Sequence, residues 1–346
     1  PYYYNGIKFF SSEGLKLPDA VEDDMEALIL DENHEFPLVD PKDMGTWWNE
    51  IDGYSDYRDQ LLDQYEMDLS GITIAVDTGH GALYKLAPDL LKKLGAEVVV
   101  IHNEPDGTNI NDKCGSTNPS EVQDLVKSTG ADVGLSFDGD ADRIIVVDEL
   151  GRILDGDHIL AILGQYLDDH GKLRGNTVVG TIMTNIGLDR FLDDKGIEIV
   201  KTKVGDRYVL EEMLDKDYVL GGEQSGHIIY LDNNTTGDGL ATALFLLKVM
   251  LETGSKLSDL NDLMTSYPQV LENAEVSREL QMTYLENEKI QDAIAKTEEK
   301  FAGSGRVVIR PSGTEALIRV MIEGEDQEIL RSEALHLVEI IESELN

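Results

Sequence analysis

The sequence predicts a multi-domain α/β protein in which mixed or parallel sheets are covered by helices, with an α+β domain at the C-terminal end. Apolar strand-like runs alternate with helix-like segments between residues 51 and 265. After residue 266 the pattern changes to two acidic helical stretches around two strand-like runs. The length of 346 residues also exceeds what one hydrophobic core usually supports.

Composition limits the classes of function. The chain is 41% hydrophobic, enough to bury several cores, and its net charge of −39 argues against nucleic-acid or anionic-membrane partners. The acid excess also suggests a salt adaptation, because at about 1 M salt the Debye length is only about 3 Å and self-repulsion is screened. Cys114 is the single cysteine, which excludes an internal disulfide and fits a reducing cytosol. The longest apolar stretch, residues 240–251, is too short to span a bilayer.

The length predicts two to four domains, and the changing strand and helix patterns divide the chain into four segments. They are the remainder of a first α/β domain at residues 1–52, a second α/β domain at 53–152, a third at 153–267 and an α+β domain at 268–346. The first segment predicts a strand at Ile7–Phe10 and an acidic helix at Val21–Leu30. The local sequence alone predicts that Lys8 is an ordinary lysine on this strand.

The second domain shows alternating strand and helix patterns that predict a parallel sheet with covering helices. Predicted strands occupy residues 72–76, 98–101, 133–137 and 144–147, and predicted helices occupy 57–65, 83–94 and 121–128. The Gly-rich turn at Asp77–Gly81 lies where α/β proteins often bind phosphate, although two glycines alone are a weak signal.

An acidic loop separates the last two of these strands. Asp138, Asp140 and Asp142 stand at alternate positions, a pattern that suits a hard divalent cation such as Mg²⁺, and Arg143 follows at once. A fixed positive charge beside a cation is suited to holding a phosphoryl group. The alternatives are a solvated acidic turn and a calcium loop, but the calcium loop needs glycine where Arg143 stands and helices on both sides.

The third domain repeats the alternation, and its functional interest lies in one glycine-rich loop. Predicted strands are 177–181, 197–202 and 218–220, and predicted helices are 158–168, 186–195, 207–214 and 240–251. In the loop Gly221–His227, glycines alternate with Glu223, Gln224, Ser225 and His227. Carboxylate, amide and hydroxyl groups on backbone that can approach a ligand closely suit the hydroxyls of a sugar. The alternative is a flexible polar hairpin.

The last domain carries a cationic loop. Predicted helices at about 283–300 and 327–344 flank predicted strands at 306–309 and 317–322. Between the strands, Arg310-Pro-Ser-Gly-Thr-Glu315 combines a guanidinium, two hydroxyls and a glycine-permitted run of backbone N–H groups, which predicts an anion site. Arg319 could add a second guanidinium. A plain hairpin with a salt bridge is the alternative, and we favour the anion site because cations are scarce in this chain.

Four loops in sequence order together resemble those of the α-D-phosphohexomutase superfamily. They are Asn5–Lys8, Asp138–Arg143, Gly222–His227 and Arg310–Glu315. Within the superfamily the chain is most similar to bacterial phosphoglucosamine mutases, on Cys114–Pro119, Lys203–Tyr208, Gln224 and Thr235–Gly239. The resemblance covers the whole chain, and the order and spacing of the loops make it specific.

The resemblance implies a cytoplasmic enzyme with one loop per domain lining a cleft. It would interconvert glucosamine 6-phosphate and glucosamine 1-phosphate through a phosphoserine, with a hexosamine or hexose 1,6-bisphosphate as intermediate and activator. Its partner would be a small phosphosugar, and the enzyme could form a homodimer. Nearby alternatives are phosphomannomutase and phosphoglucomutase activity.

The implied residue roles follow the matching positions. Mg²⁺ would be held by Asp138, Asp140 and Asp142, and the catalytic residues would be Lys8 as general base, Arg143 beside the phosphoserine and His227 as acid/base. Sugar contacts would come from Glu223, Gln224, Ser225, Asp206 and Arg207, and phosphate contacts from Arg310, Ser312, Gly313, Thr314 and Arg319.

Two departures from the family pattern stand out. The family nucleophile lies in a Ser-His-Asn-Pro turn, and Pro1 resembles the proline of that turn, which places the serine before this chain. We therefore expect an N-terminally incomplete sequence, with a non-catalytic phosphosugar-binding protein as the alternative. Ala316 stands where the family usually has proline, a change that affects loop rigidity more than chemistry.

Overall fold

A computed structural model describes residues 2–3, 6–31, 37–46, 52–312 and 315–345. The helices in these ranges are α1 Asp19–Leu30, α2 Asp52–Gln64, α3 Leu86–Lys93, α4 Ser120–Thr129, α5 Gly156–Asp169, α6 Ile186–Lys195, α7 Asp206–Lys216, α8 Gly239–Thr253, α9 Leu257–Asn261, α10 Glu288–Phe301 and α11 Gln327–Leu345. The strands are β1 Thr73–Asp77, β2 Glu97–Ile101, β3 Val133–Phe137, β4 Ile144–Asp148, β5 Ile153–Leu154, β6 Thr177–Thr181, β7 Glu198–Thr202, β8 Leu220–Gly222, β9 Ile228–Tyr230, β10 Gln269–Glu275, β11 Arg306–Pro311 and β12 Leu317–Glu323. Short 3₁₀ helices occupy Pro41–Asp43, Arg174–Asn176 and Gln281–Leu285.

The chain divides into two compact units, each built from two stretches of sequence. The first unit comprises residues 1–153 and 228–257, and the second comprises residues 154–227 and 258–346. The polypeptide therefore leaves the first unit at β5, returns to it at β9 and α8, and leaves it again after residue 257.

The first unit is centred on a mixed sheet in the order β2-β1-β3-β4-β5. β1 pairs in parallel with β2 and β3, whereas β4 runs antiparallel to β3. Every residue of β3 and β4 is buried, as expected for strands covered on both faces. Helix α4 closes one face by packing Val122 and Val126 against Ala75, Ala131 and Val147. The apolar helix α8, which packs on β4, is buried at most of its positions.

The second unit contains two sheets. β7, β6 and β8 lie side by side in parallel, with helices α5, α6 and α7 packed against them. The C-terminal part has an antiparallel sheet in the order β10-β12-β11, covered by α10 and α11. Its core includes Ile318, Val320 and Ile322 of β12 and Leu337 and Ile341 of α11.

A buried carboxylate joins these two parts of the second unit. Glu323 is fully buried and receives a 2.6 Å ion pair from Arg306 Nε. Its other oxygen accepts hydrogen bonds from Ile186 N (2.9 Å) and Gln269 Nε2 (3.0 Å). Arg306 also donates to the carbonyl of Thr184. A buried charge that is paired and hydrogen-bonded in this way is costly to break from one side, so Glu323 fixes the C-terminal sheet against the start of α6.

The predicted fold class is confirmed, with corrections to individual elements. The strand expected at Ile7–Phe10 is wrong, because Phe10 forms only an isolated bridge to Lys16 and Ile7 is 82% exposed. A strand needs a neighbouring ladder and a buried face, and this segment has neither. The sequence reasoning also missed β10, whose polar residues weaken the alternating pattern of its buried Val270 and Ala274.

In the described part of the chain, no helix has the length and apolar character needed to cross a membrane.

Candidate functional site

Five of the predicted site residues lie together in the first unit, four of them on the acidic loop between β3 and β4 and the fifth, Lys8, beside it. Asp138 follows β3 directly and is largely buried, while Asp140 and Asp142 are more exposed. Lys8 Nζ lies 3.7 Å from Asp140 Oδ2 and 3.7 Å from Asp142 Oδ2. The long-range pairing of Lys8 with two loop carboxylates could not be read from its local sequence.

The loop backbone is shaped by internal hydrogen bonds. Asp138 Oδ1 accepts from Arg143 N at 3.1 Å, and Asp138 O accepts from Ala141 N at 3.1 Å. Ala141 adopts a left-handed conformation with φ of 67°, which turns the chain sharply between the carboxylates. The Arg143 side chain is part-exposed, and its Nε lies 3.9 Å from Asp142 Oδ1.

The charges on the loop are incompletely compensated. Burial, followed by repulsion from Asp142, raises the pKa of Asp138 to about 6. Two carboxylates that face each other closely enough to do this form an oxygen-rich corner without soft donors, which fits a hard cation such as Mg²⁺. Lys8 and Arg143 lie beside that corner.

Two other segments of the first unit support the acidic loop. Gly139 N donates to Asn111 Oδ1 at 2.9 Å, and Gly139 O accepts from Ala82 N at 2.9 Å. A Cβ on Gly81 would lie 2.4 Å from the Gly139 backbone, so only glycine permits this approach. The Gly-rich turn after β1 therefore supports the acidic loop.

The glycine-rich loop of the second unit is a turn held by backbone hydrogen bonds. Glu223 N donates to His227 O and Gly226 N donates to Glu223 O, each at 3.0 Å. Gly156 N donates to Gln224 O at 3.0 Å, and a Cβ on Gly156 would lie 1.9 Å from Glu223 O. These contacts argue against the flexible-hairpin alternative. Gln224 is half-buried and Ser225 is exposed.

The start of α7 lies beside the glycine-rich loop. Glu223 Oε1 accepts from Gly205 N at 3.0 Å, where Gly205 has a φ of 133° that favours glycine. His227 is buried, and its Nε2 lies 3.6 Å from Asp206 Oδ2. Arg207 follows on the first turn of α7, with its Nε 4.0 Å from Glu211 Oε1. The structure thus brings four of the predicted sugar and acid/base residues together.

The cationic loop lies at the end of β11 in the same unit. Arg310 and Arg319 occupy opposed positions on β11 and β12. Burial, followed by repulsion from Arg319, lowers the pKa of Arg310, while Glu223 acts in the opposite direction. Arg310 Nε is buried and has no hydrogen-bond partner among the described residues. An unpaired buried guanidinium nitrogen is the kind of group that an anionic ligand satisfies.

The remaining members of the cationic loop are less prominent. Ser312 is buried, and its Oγ accepts from Glu315 N at 3.2 Å. Arg319 is held by Glu315 through a 3.0 Å ion pair, so its guanidinium is already partly satisfied. Gly313 and Thr314 lie outside the described residues.

Comparison with known protein families gives three adjoining matches. Residues 52–151 match the family model for phosphoglucomutase/phosphomannomutase alpha/beta/alpha domain II, residues 155–267 match domain III, and residues 271–340 match the C-terminal domain. The matches cover most of the chain.

Curated relatives extend over the entire chain. It is 54% identical over 346 residues to the phosphoglucosamine mutase of Alkaliphilus oremlandii, covering 100% of this chain and 77% of that protein. It is 52% identical over 346 residues to the phosphoglucosamine mutase of Ruminiclostridium cellulolyticum, with the same coverage of both.

Solved structures show the same fold at lower identity. A phosphoglucomutase/phosphomannomutase family protein from Burkholderia thailandensis has a TM-score of 0.66 at 24% identity, covering 83% of this chain and 64% of that chain. Aspergillus fumigatus N-acetylphosphoglucosamine mutase, solved with GlcNAc-6P and magnesium, has a TM-score of 0.69 at 20% identity, covering 83% of this chain and 70% of that chain.

Proposed function

The chain belongs to the phosphoglucomutase/phosphomannomutase family, and we propose that it is a phosphoglucosamine mutase, which interconverts glucosamine 6-phosphate and glucosamine 1-phosphate. The observation that carries the proposal is that two kinds of charged loop coexist on a chain of this family. The acidic loop with Lys8 and Arg143 suits a transferring phosphoryl group, and the loop of Arg310 suits a phosphate that is held. The relatives' shared name supports the amino sugar as substrate.

We assign the acidic loop to the transfer of the phosphoryl group. Asp138, Asp140 and Asp142 would hold Mg²⁺, which when bound supplies charge neutralisation for the transferring phosphoryl. Magnesium in the Aspergillus fumigatus structure supports this choice of metal. Arg143 would stabilise the equatorial phosphoryl oxygens through its part-exposed guanidinium, because such transfer depends chiefly on positioning and charge. Lys8 would accept the proton of the attacking sugar hydroxyl.

We assign the second unit to binding and orienting the sugar phosphate. Glu223, Gln224 and Ser225 would bind sugar hydroxyls on a loop that the tight contacts of Gly156 hold in place. His227, close to Asp206, would serve as an acid/base group, and Arg207 would add a further polar contact. Arg310 and Ser312, together with Gly313, Thr314 and Arg319, would bind the phosphate that is not being transferred.

The proposed reaction passes through a phosphoserine and a sugar 1,6-bisphosphate. The bisphosphate must turn over so that first one oxygen and then the other faces the transferring group, which requires a binding site that accepts phosphate at either end of the sugar. None of the serines in the loops described above is assigned as the phosphoserine nucleophile. A cytoplasmic location and a homodimer belong to the same proposal, the first supported by the use of a single cysteine.

The test is ³¹P NMR of glucosamine 6-phosphate with the 346-residue protein, Mg²⁺ and a trace of hexose 1,6-bisphosphate. Appearance of the 1-phosphate resonance establishes the mutase activity. Selective broadening of the 6-phosphate resonance without conversion would establish the substrate site and assign the nucleophile to a residue outside these 346. Matched titrations with mannose 6-phosphate and glucose 6-phosphate decide the sugar, since tighter binding of either would overturn the glucosamine assignment.

A further inference from the structure

A second cluster of metal-ligating side chains lies in the first unit, apart from the acidic carboxylates. Asp77, His102 and Cys114 each place one ligand atom so that the three atoms lie within 4.8 Å of one another. Asp77 and Cys114 are fully buried, and His102 is 21% exposed at its side chain. We propose that these three residues form a binding site for a divalent metal ion of borderline softness, with Zn²⁺ as the expected ion.

The topology of the sheet explains why the cluster forms. Asp77 ends β1, and His102 directly follows Ile101, the residue paired with Asp77 in the parallel ladder. The carboxyl ends of parallel strands meet at one edge of a sheet, so the two side chains converge there. Cys114 arrives on the polar loop before α4, where Gly115 N donates to Asp77 Oδ2 at 2.9 Å. Three separate stretches of sequence are thus fixed around one point.

The geometry of His102 points to a missing ligand. Its Nδ1 lies 3.1 Å from Asp77 Oδ1, yet this buried nitrogen has no hydrogen-bond partner in the described ranges. Two donor atoms that lie close without hydrogen-bond geometry can direct their lone pairs at a common ion. A buried polar atom left without a partner is otherwise destabilising.

The surroundings orient the ligands as in established metal sites. His102 Nε2 lies 3.1 Å from Glu121 Oε2, so the second ring nitrogen can donate to a carboxylate while Nδ1 faces the metal. Asp77 is held through Gly79 N at 2.8 Å and Gly115 N at 2.9 Å, which leaves one lone pair free on each carboxylate oxygen. These contacts position the His102 ring and the Asp77 carboxylate in the metal-free protein.

The donor set determines the class of metal. Thiolate sulfur with imidazole nitrogen and one carboxylate oxygen selects Zn²⁺ and similar ions over Mg²⁺, which prefers oxygen alone. Binding replaces the S–H bond of Cys114 by an S–metal bond and releases one proton to solvent. No change of oxidation state is involved, so the site needs no co-reactant.

The site's position predicts a structural role beneath the acidic loop. Phe137 O, the last carbonyl before Asp138, accepts from Ser116 N at 3.1 Å. Asn111, which holds Gly139 through its side chain, donates its own N–H to Gly79 O at 2.9 Å. A metal that joins Asp77, His102 and Cys114 would fasten the segments on which the acidic loop rests.

The competing arrangement is an imidazolium of His102 held between Asp77 and Glu121, with Cys114 filling space. This imidazolium arrangement predicts that neither Zn²⁺ nor Co²⁺ binds to Cys114. Titration of the metal-free protein with Co²⁺ separates the two, because a cobalt–thiolate bond gives a near-ultraviolet charge-transfer band that oxygen ligands do not give. Cys114 is the single cysteine of the chain, so the band can arise only there.

We expect the band to saturate at one Co²⁺ per chain and to disappear on addition of Zn²⁺. Cys114→Ser should abolish it, and His102→Gln should weaken Co²⁺ binding by at least about tenfold. Asp140→Asn and His170→Gln, which leave all three ligands intact, should retain the full band. Absence of the band in the unaltered protein, or a His102→Gln variant that binds Co²⁺ as tightly as that protein, would overturn the proposal without depending on whether Cys114→Ser folds.

Discussion

Tyr57 on α2 donates a 2.6 Å hydrogen bond to the Asp238 carboxylate at the start of α8, across 181 residues of sequence. Asp238 also caps α8 by accepting from Ala241 N at 2.9 Å. The next residue, Gly239, donates its N–H to Ala141 O in the acidic loop at 2.9 Å, and a Cβ there would lie 2.8 Å from Arg143 O. The Asp238–Gly239 pair therefore links α2 and α8 to the proposed Mg²⁺ loop.

We expect Tyr57→Phe to destabilise the first unit by about 1.5–3 kcal/mol, the usual contribution of a hydrogen bond to a charged group. Burial and then Asp238 raise the pKa of Tyr57, in keeping with a protonated hydroxyl that donates to the carboxylate. The measurement is urea unfolding followed by circular dichroism. Tyr54→Phe on the same helix is the control, because its exposed 3.2 Å bond to Asp89 contributes little. Equal effects of the two substitutions would contradict the assigned role of Asp238.

Asp142→Asn should weaken Mg²⁺ binding by at least about tenfold, since one charged oxygen ligand is lost. The loop is expected to keep its shape, because Asp138 still accepts hydrogen bonds from the backbone N–H groups of Ala141 and Arg143. Isothermal titration with MgCl₂ measures the effect directly, and loss of Mg²⁺-dependent turnover should accompany it. Asp124→Asn, an exposed carboxylate on α4, controls for the change in net charge. Unchanged Mg²⁺ affinity in Asp142→Asn would move the metal site elsewhere.

Arg310→Ala should raise KM for the sugar phosphate by about tenfold or more while changing kcat less, because the guanidinium binds the phosphate that is not transferred. Its buried, unpartnered Nε is the structural basis of this expectation. Inorganic phosphate, titrated by ³¹P NMR, gives a second readout that does not require turnover. Arg331→Ala is a suitable control, since Arg331 is exposed and pairs with Glu272 at 3.4 Å. A KM that stays constant in Arg310→Ala would refute the assignment.

Asp157→Asn should change how stability depends on pH. Asp157 is fully buried in α5, and burial, followed by repulsion from Asp155, raises its pKa well above the usual range. The folded state therefore prefers the protonated acid, and the stability that it contributes is present at acidic pH and lost as the pH rises through the raised value. The asparagine variant should gain thermal stability relative to the natural chain at pH 8 and less at pH 5.

Differential scanning calorimetry at the two pH values measures the Asp157 effect. Asp168→Asn, an exposed change near the other end of α5, should shift the melting temperature equally at both. A melting difference for Asp157→Asn that is independent of pH would show that Asp157 is ionised in the folded protein. The asparagine oxygen can still accept from Asn185 N, which Asp157 Oδ2 binds at 2.8 Å.

Local pattern was sufficient for most elements. Strand β6 and helix α6 have the predicted ends, because apolar runs bounded by Asn185 and Gly196 give clear start and stop signals. The missed strand β10 and the wrong strand at Ile7–Phe10 share a cause. Whether an extended segment becomes a strand depends on a partner strand, and that partner can be far away in sequence.

The sequence also showed which residue types the loops carry, but it did not show which side chains they contact in the folded protein. The acidic, glycine-rich and cationic loops were all identified from composition and spacing, with roles carried by family resemblance. The sequence did not reveal that Lys8 pairs with Asp140. It also did not reveal that Asn111 and Gly81 support Gly139. The polar loop before α4 was noticed in the sequence, yet nothing there showed that Cys114 would meet Asp77 and His102.

The sequence by itself determined the α/β class, the succession of helices and strands, and which loops carry chemically useful side chains, because these depend on periodicity and residue type within short windows. The tertiary structure decided which side chains meet. It placed Asp238 against Tyr57, Glu323 against Arg306, and Cys114 against Asp77 and His102. The physical reason is that burial and electrostatic coupling act through space, and a folded chain brings together atoms that its order keeps far apart.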